Sequence, residues 1–386
     1  MSTIDGIYLD NGATSFPKAP GVGEAMARYI NEVGANIGRG IYRSATDAAL
    51  TVLNTRELLA KLFHFTGPVS HVVFTPGVTY ALNQVLRGFL HPGDHVVVSS
   101  MEHNAVMRPL MDLTEESVTF SRIPADRDGL TDPRNLIPLL RPETKLVMVS
   151  HASNVSGSVF PLEEVAAVCR ERDIPLAVDA AQTAGCLPID FESLGLSALC
   201  VPGHKGLLGP QGIGALLMSE KFASQVTPLT TGGTGSASDS ERQPAYMPDR
   251  FESGTLNLPG IFGLHAALEY VLDRGIDSLQ NHSAVMTKRL LEELAGLPVR
   301  VVGPHSCDCR VGVVSLDFMG LDNAEAAFQM EQQFGVLTRC GLHCAPNAHK
   351  TLGTFPQGTV RLSVGHATTE TEIDRAVEAV RSMVEK

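Results

Sequence analysis

The stretch VPGHKGLLGPQGIG, residues 201–214, decides the fold of this 386-residue chain. Short apolar runs flank it, at residues 198–201 and 215–218, and its glycine and proline content is incompatible with a helix. The pattern predicts two buried strands joined by a tight connection, with Lys205 at its tip. Loss of water between apolar strands lowers the pKa of a lysine and makes its amine nucleophilic, as Schiff-base chemistry requires. A solvated loop lysine is the alternative interpretation.

Another predicted buried strand, IPLAVD at residues 174–179, ends in the carboxylate of Asp179. An acid at the carboxyl end of an interior strand of an open α/β sheet faces the ligand crevice. Such an aspartate can keep the ring nitrogen of pyridoxal phosphate protonated, and the alternative role is the N-cap of a following helix. Because Asp179 and Lys205 each follow a strand, the pair indicates a pyridoxal-phosphate site more specifically than either residue alone.

The two phrases VDAAQ (178–182) and GHKGLLGPQGIG (203–214) resemble the class V aminotransferase family of fold-type I pyridoxal-phosphate enzymes. The cysteine desulfurase and selenocysteine lyase branch fits best, and the resemblance extends over nearly the whole chain. It implies an α/β fold with a large domain, residues 15–258, that has a mainly parallel seven-stranded sheet. Residues 1–14 and 259–386 are then expected to form a small α+β domain.

The order of the predicted elements agrees with this architecture. Strands and helices alternate between residues 71 and 179, which predicts a mainly parallel, doubly wound sheet. Residues 227–248 are rich in glycine and serine and predict a long functional loop. Two helices, near 261–274 and 277–294, lead to a smaller region with strands near 299–302, 311–318, 336–338 and 359–364. Thr369 and Glu372 form a capping-box pattern at the start of the last helix.

Composition excludes several classes of protein. The net charge is −12 and no long basic cluster occurs, which argues against nucleic-acid binding. No apolar run approaches the roughly 20 residues that a membrane span needs, and residues 1–6 lack the pattern of a signal peptide. Seven cysteines, an odd number, do not resemble a disulfide framework in a chain of this length. We therefore expect a reducing, cytoplasmic location.

The turn TPGVT, residues 75–79, predicts a strand that runs into a helix whose first amides bind phosphate. Ordinary helix capping is the alternative. The resemblance assigns the cofactor phosphate to a set of residues that share this role: Gly77, Val78, Thr79, His204 and Thr255. Relatives commonly carry hydroxyls at the positions of Val78 and Pro202, so backbone amides and Thr255 are expected to contribute more here. Thr255 resembles a residue donated across a subunit interface, which implies a homodimer with two shared sites.

His103 follows a predicted strand, where an imidazole can stack on the cofactor ring and exchange protons near neutral pH. A purely structural histidine is the alternative. The resemblance supports the stacking role for His103. It further implies that Asn154 contacts the ring substituents and that Gln182 bonds the ring hydroxyl.

The phrase TRCGLHCAP, residues 338–346, contains a candidate sulfur acceptor in Cys344. Positive charge from His343 and Arg339 would lower the pKa of its thiol. The phrase resembles the R-x-G-x-H-C-A motif of short-loop desulfurases, in which the cysteine matching Cys344 receives the sulfur, whereas Cys340 has no counterpart. An inert buried cysteine is one alternative. The other is a metal site drawn from Cys307, Cys309, Cys340, His343 and Cys344, although their spacing fits no standard zinc pattern.

Arg361 lies on a predicted apolar strand, where an unpaired charge is costly and an anionic partner is expected. The resemblance makes that partner the substrate carboxylate, held fork to fork, and a structural ion pair is the alternative. Family members open with nearly the phrase at residues 7–14, so Asn11 and Ala13 are expected in the substrate pocket. The glycine-rich residues 34–40 predict an active-site loop in which Arg39 contacts an anionic group.

These features predict a pyridoxal-phosphate-dependent cysteine desulfurase that converts L-cysteine to L-alanine. Lys205 is expected to remove the α-proton and Cys344 to become a persulfide. An acceptor protein then takes the sulfur for iron–sulfur cluster or thio-cofactor assembly. The alternatives are a selenocysteine lyase, a class V aminotransferase or lyase that acts on another amino acid, and a non-catalytic scaffold, against which the intact Lys205, Asp179 and Cys344 argue.

Overall fold

The computed structural model describes residues 6–385. After a short strand β1 (Ile7–Tyr8), seven strands build the central sheet: β2 (Val72–Thr75), β3 (His95–Ser99), β4 (Thr119–Ile123), β5 (Thr144–Ser150), β6 (Leu176–Asp179), β7 (Ala198–Pro202) and β8 (Gly214–Met218). Their order in space is β2–β8–β7–β6–β5–β3–β4. Strand β8 runs antiparallel to both neighbours and the other pairs are parallel. The predicted mainly parallel seven-stranded sheet is therefore confirmed.

Helices cover both faces of this sheet. The α-helices of the described chain, in order, are α1 (Val22–Arg28), α2 (Arg43–Leu62), α3 (Val78–Phe89), α4 (Asn104–Glu115), α5 (Leu162–Glu171), α6 (Phe191–Leu194), α7 (Glu220–Gln225), α8 (Leu258–Arg274), α9 (Ile276–Leu294), α10 (Asn323–Phe334), α11 (Pro346–Leu352) and α12 (Glu370–Val384). Helices α10 and α12 belong to the core of the smaller sheet. Successive residues of β3 point to opposite faces of the sheet. On one face Val97 shares a core with α2, α5 and α8. On the other face Val96 and Val98 share a core with α3, α4 and α7. Within residues 6–385, no helix combines the length and apolarity needed to cross a membrane.

A smaller antiparallel sheet follows, as the α+β prediction requires. Its strands are β9 (Val299–Val302), β10 (Val313–Phe318), β12 (Arg339–Gly341) and β13 (Thr359–Ser363), in the order β12–β13–β10–β9. The N-terminal strand β1 pairs in parallel with β11 (Val336–Leu337), so the start of the described chain joins this region. The first five residues, which include most of the segment searched for a signal peptide, lie outside the described part.

Helix α8 packs on α1 and α2 and contributes to the core of the large sheet, so this core continues past residue 258. The division into residues 15–258 and residues 1–14 with 259–386 stays a prediction.

Several elements differ from the sequence predictions. The helix predicted over residues 22–33 is α1 followed by a π-helix, Tyr29–Val33. Helices α4 and α10 were not predicted, because Pro109 interrupts the pattern of α4 and α10 buries mainly small or flexible side chains. The strand predicted over residues 336–338 ends at Leu337, and a separate strand begins at Arg339. The capping box of Thr369 and Glu372 is present as predicted.

A buried ion pair fixes the segment that leads into α8. Arg56 of α2 and Glu252 form two hydrogen bonds, 2.8 Å from Nη1 to Oε1 and 2.6 Å from Nη2 to Oε2. The backbone amide of Phe74 on β2 also donates to Glu252, at 2.6 Å. Both side chains of the pair are at most 6% exposed. The chain beyond residue 252 is thereby held against β2 and α2.

Removing one partner of this pair leaves a buried, uncompensated charge. We expect Glu252→Ala to lower the free energy of unfolding by about 3–5 kcal/mol, measured by urea denaturation. The matched control is Glu292→Ala, which removes an exposed partner of Lys288 and should cost less than about 1 kcal/mol. A cost at Glu252 no larger than at Glu292 would contradict this interpretation.

Candidate active site

Lys205 lies in the tight connection between β7 and β8, as predicted. Three backbone hydrogen bonds close it: Gly203 N to Ile213 O (2.9 Å), Leu208 N to Lys205 O (2.8 Å) and Gly209 N to Gly203 O (2.8 Å). Burial lowers the pKa of Lys205 to about 8, although the nearby carboxylate of Asp179 acts in the opposite direction. A substantial share of this amine is therefore neutral and nucleophilic near physiological pH.

Asp179 is the last residue of β6 and is 4% exposed. A turn follows it, and the next helix begins only at Phe191, so the alternative role as a helix N-cap does not apply. Burial raises the pKa of Asp179, while a hydrogen bond from Ala181 N (2.9 Å), the charge of Lys205 and the hydroxyl of Ser150 act against this rise. A buried carboxylate is stabilised by a positively charged or protonated partner, which a pyridinium N–H supplies.

Helix α3 begins at Val78, directly after Gly77. Gly77 adopts φ 155° with open space where a Cβ would lie, and no side chain caps the helix there. The first amides of a helix without a side-chain cap form an anion site. A Cβ on Gly214 would lie only 3.1 Å from Gly77 Cα, so this helix start abuts the Lys205 connection. The structure therefore places a helix start without a side-chain cap beside the connection that carries Lys205.

His204 and the N-terminal turn complete this side of the site. His204 Nδ1 lies 3.1 Å from Thr14 Oγ1, and its carbonyl accepts from Lys18 Nζ at 2.8 Å. Burial lowers the pKa of His204 to about 4. Thr79 is exposed, and Val78 packs partly against the apolar cluster, which suits a residue without a hydroxyl. A lysine with a lowered pKa, a buried carboxylate and an open helix start together fit pyridoxal phosphate.

The residues expected around the cofactor ring lie at the ends of neighbouring elements. His103 is the N-cap of α4, where its Nδ1 accepts from Ala105 N at 2.9 Å, so Nε2 carries the proton. Burial lowers the pKa of His103 to about 4, so the imidazole is neutral rather than titrating near pH 7 as expected. Asn154 donates to His343 O at 2.7 Å, and Gln182 to Gly12 O at 3.1 Å.

Arg361 on β13 is almost fully buried, and its anionic partner is Asp10, which the sequence analysis did not single out. Arg361 Nη2 lies 3.0 Å from Asp10 Oδ1, and Arg339 also donates to this carboxylate, at 2.8 Å from Nη2 to Oδ2. Arg361 Nη1 donates to Asn154 O at 3.2 Å, whereas Arg361 Nε is buried without a hydrogen-bond partner. The structural ion pair, which was the alternative interpretation of Arg361, is present, and Nε of the same guanidinium group has no hydrogen-bond partner.

A cavity between the two sheets is lined by Asn11, Gln182, Cys186, Lys205 and His366, among others. Ala13 N donates to Asp10 O and so shapes the turn that carries Asn11.

Two predicted residues lie apart from this cluster within one chain. Arg39 is exposed and donates to Gly235 O at 3.0 Å, in the glycine- and serine-rich loop. Thr255 is exposed as well. Neither residue forms a hydrogen bond with the Lys205 region in the part of the chain that the structure describes.

Cys344 is exposed in the segment after β12, which rules out an inert buried cysteine. Its carbonyl accepts from Asn104 N at 2.8 Å, next to His103. Burial lowers the pKa of His343 to about 2, so His343 is neutral and the expected positive charge beside the thiol reduces to Arg339. Across residues 6–385, no group of three histidine, cysteine or acidic residues is arranged to hold a metal ion.

Fold and site together define a fold-type I enzyme that depends on pyridoxal phosphate. The family model of aminotransferase class-V matches residues 7–376, and the chain belongs to this family. It is 32% identical to a probable cysteine desulfurase from Methanothermobacter thermautotrophicus, over 98% of this chain and 95% of that protein.

Solved structures agree with this assignment. The apo structure of a cysteine desulfurase from Thermococcus onnurineus superposes with a TM-score of 0.92 at 30% identity and covers 99% of this chain and 95% of that chain. The cysteine desulfurase CsdA from Escherichia coli gives a TM-score of 0.88 at 27% identity, over 98% of this chain and 95% of that chain.

The lowered pKa of Lys205 predicts how the cofactor-free protein captures pyridoxal phosphate. Only the neutral amine attacks an aldehyde, so the rate of capture should rise with pH and level off above about pH 8. Because the Asp179 carboxylate raises this pKa, Asp179→Asn should move the midpoint to lower pH. Stopped-flow absorbance of the covalent product, recorded over a range of pH, measures the capture rate of the wild type and the shifted midpoint of Asp179→Asn.

The control for this prediction is Lys18, whose pKa burial also lowers to about 8. Lys18→Arg should still capture the aldehyde, whereas Lys205→Arg should not. Covalent capture that survives in Lys205→Arg and disappears in Lys18→Arg would overturn the assignment.

Proposed function

We propose that this chain is a cysteine desulfurase that converts L-cysteine to L-alanine and transfers the sulfur to Cys344. The observation that carries the proposal is the exposed Cys344 at the edge of a pyridoxal-phosphate site, anchored through Asn104 beside His103. Similarity to cysteine desulfurases over nearly the full chain supports the activity.

Bound pyridoxal phosphate supplies the electron sink for chemistry at the α-carbon of an amino acid. The first amides of α3 at Gly77, Val78 and Thr79, together with His204, would hold its phosphate, and Asp179 would keep its ring nitrogen protonated. Lys205 would hold it covalently and, as a free amine, would remove the α-proton of the substrate. Neutral His103, with Asn154 and Gln182, would hold its ring.

The substrate carboxylate is assigned to Arg361, because its guanidinium group offers charge-assisted donors and its buried Nε has no hydrogen-bond partner. Asn11 and Ala13 shape the wall beside it. The Cys344 thiolate attacks the substrate sulfur, so an S–S bond forms as the C–S bond breaks. The electron pair of the broken bond stays with the β-carbon, which takes up the proton released from the substrate thiol. Lys205 returns the α-proton to the α-carbon, and alanine leaves while Cys344 holds a persulfide.

We also propose a homodimer. The segment from residue 30 to residue 53 exposes several large apolar side chains: Ile30, Ile41, Tyr42, Leu50 and Leu53, with Ile41 97% exposed. Exposed apolar side chains that form a patch mark interaction sites. Arg39 belongs to the same segment, and both Arg39 and Thr255 lie apart from the Lys205 cluster. A twofold arrangement in which Arg39 and Thr255 complete the partner's site accounts for both observations.

The exposed thiol of Cys344 is accessible to an acceptor protein, which we propose takes the sulfur for iron–sulfur cluster or thio-cofactor assembly. Exposure of Cys309 and Cys340 as free thiols, together with free Cys307, supports a reducing, cytoplasmic location.

Substitution of the sulfur acceptor separates the chemistry from cofactor binding. Cys344→Ser should retain pyridoxal phosphate and bind L-cysteine, but alanine production should fall at least about 100-fold because no thiolate attacks the substrate sulfur. Alanine release and the visible spectrum measure the two properties.

Assay of L-selenocysteine beside L-cysteine separates a desulfurase from a selenocysteine lyase, which would retain most of its activity in Cys344→Ser.

Cys340 provides the matched control, since it is exposed on the same segment. Cys340→Ser should retain at least about half of the activity. Trapping of the wild-type protein with excess cysteine, followed by alkylation and mass spectrometry, locates the persulfide. A persulfide on Cys340, or full activity in Cys344→Ser, contradicts the assignment.

A mixing experiment tests the shared site. Lys205→Ala lacks its own amine, and Thr255→Ala weakens the phosphate site of its partner, so each variant alone should be impaired. If Thr255 acts across the interface, mixed dimers contain one native site, and exchange of subunits should restore up to about a quarter of the wild-type activity. Sedimentation velocity gives the oligomeric state, and an active monomer would rule out the dimer.

A further inference from the structure

A second buried carboxylate lies behind Asp179. Glu102 is 1% exposed and lies between the ends of β3 and β5. It directly precedes His103 in the sequence and has no part in the chemistry described above. The charged group that acts on it is Asp179, which in turn faces Lys205 from the neighbouring strand end. Two adjacent carboxylates without water require a proton or a cation between them.

The two oxygens of Glu102 have different surroundings. Oε1 accepts three hydrogen bonds: from Ser99 Oγ (2.5 Å), Ser150 N (2.9 Å) and Ser99 N (3.3 Å). Oε2 has a single hydrogen-bonding neighbour, the Ser150 hydroxyl at 2.7 Å. Oε1 is therefore saturated with donors, and a proton on the carboxyl group belongs on Oε2.

Ser150 connects the two acids. It is the register partner of Asp179 across β5 and β6, so both side chains lie on one side of the sheet. Its hydroxyl bonds to Glu102 Oε2 and also lowers the pKa of Asp179. A hydroxyl has one proton and can donate to only one of the two carboxylates. If Ser150 donates to Asp179, its oxygen must accept the bond from Glu102, and this requires a protonated Oε2.

We propose that Glu102 is a positioning residue that carries a proton on Oε2 and, through the Ser150 hydroxyl, directs a hydrogen bond onto the ionised carboxylate of Asp179. The buried pair then holds one proton, on Glu102, and one negative charge, on Asp179, where the cofactor nitrogen is expected. The role of Asp179 rests on the proposed function, whereas the location of the proton does not.

Burial raises the pKa of Glu102 to about 7, and hydrogen bonds from Ser99 and Ser150 oppose this rise. Such a group binds its proton more tightly in the folded protein than in the unfolded chain. Its contribution to stability is therefore complete below about pH 4.5, the ordinary value, and is lost as pH rises to about 7. Compared with wild type, Glu102→Gln should lose less thermal stability between these two pH values.

Infrared spectroscopy of the cofactor-free protein locates the proton directly. Wild type at pH 6 should show the carbonyl band of a buried protonated carboxyl group, and the band should disappear as pH rises through about 7. The isosteric variant Glu102→Gln should lack the band, and Asp179→Asn should retain it. A band that persists in Glu102→Gln, disappears in Asp179→Asn, or is absent from wild type overturns the proposal. Asp179→Asn keeps the test decisive if Glu102→Gln does not fold.

Cofactor retention tests the connection to Asp179 separately. Ser150→Ala removes the hydroxyl between the acids and should accelerate release of pyridoxal phosphate about tenfold, as expected for one hydrogen bond to a charged group. Ser99→Ala removes a donor that bonds only Glu102 Oε1 and should change release less than twofold while the infrared band remains. If Ser150→Ala and Ser99→Ala accelerated the release of pyridoxal phosphate equally, the role of Glu102 would be merely structural. Failure of the whole chain to bind pyridoxal phosphate would instead contradict the proposed function and leave the infrared result standing.

Discussion

The site depends on one electrostatic constraint, the burial of Asp179 and the partial burial of Lys205 at the ends of adjacent parallel strands. Burial acts on the two groups in opposite senses, because it lowers the pKa of the amine and raises that of the acid. Each group limits the shift of the other by supplying the opposite charge. The Lys205 amine is therefore partly neutral near physiological pH, and a protonated partner would still stabilise the Asp179 carboxylate. A parallel sheet buried on both faces provides this environment, since its strand ends meet at one edge.

A second constraint joins the small sheet to the N-terminal turn. Asp10 accepts hydrogen bonds from Arg361 on β13 and Arg339 on β12, so one carboxylate compensates two guanidinium groups. A buried arginine on an apolar strand would otherwise be very costly. Because Asn11 and Ala13 belong to the same turn, the ion pair also positions the wall of the cavity. The ion pair thus holds the Arg361 guanidinium group in place, and its Nε has no hydrogen-bond partner.

Lys205 and Asp179 could be predicted from the sequence, because each follows a short continuous apolar run that is typical of a buried strand. Interactions between distant segments were not accessible in this way. Asp10 and Arg361 are 351 residues apart, and nothing near either residue indicates the other. Glu102 was visible only as a neighbour of His103, since its relation to Ser150 depends on the pairing order of the strands. The neutral state of His343 also depends on burial, which the adjacent sequence, with its polar residues, did not reveal.

Backbone hydrogen bonds fix the segment that carries His343 and Cys344. His343 and Cys344 both adopt positive φ, 48° and 58°, a conformation that costs about 1–3 kcal/mol for each residue without a compensating contact. Two hydrogen bonds to their carbonyls compensate, from Asn154 to His343 and from Asn104 N to Cys344. Both donors follow strands of the large sheet, β5 and β3, at the edge that carries Asp179. These hydrogen bonds hold the backbone of Cys344 and leave its side chain unbound. The Cys344 sulfur is therefore exposed while the loop stays fixed to the edge of the large sheet.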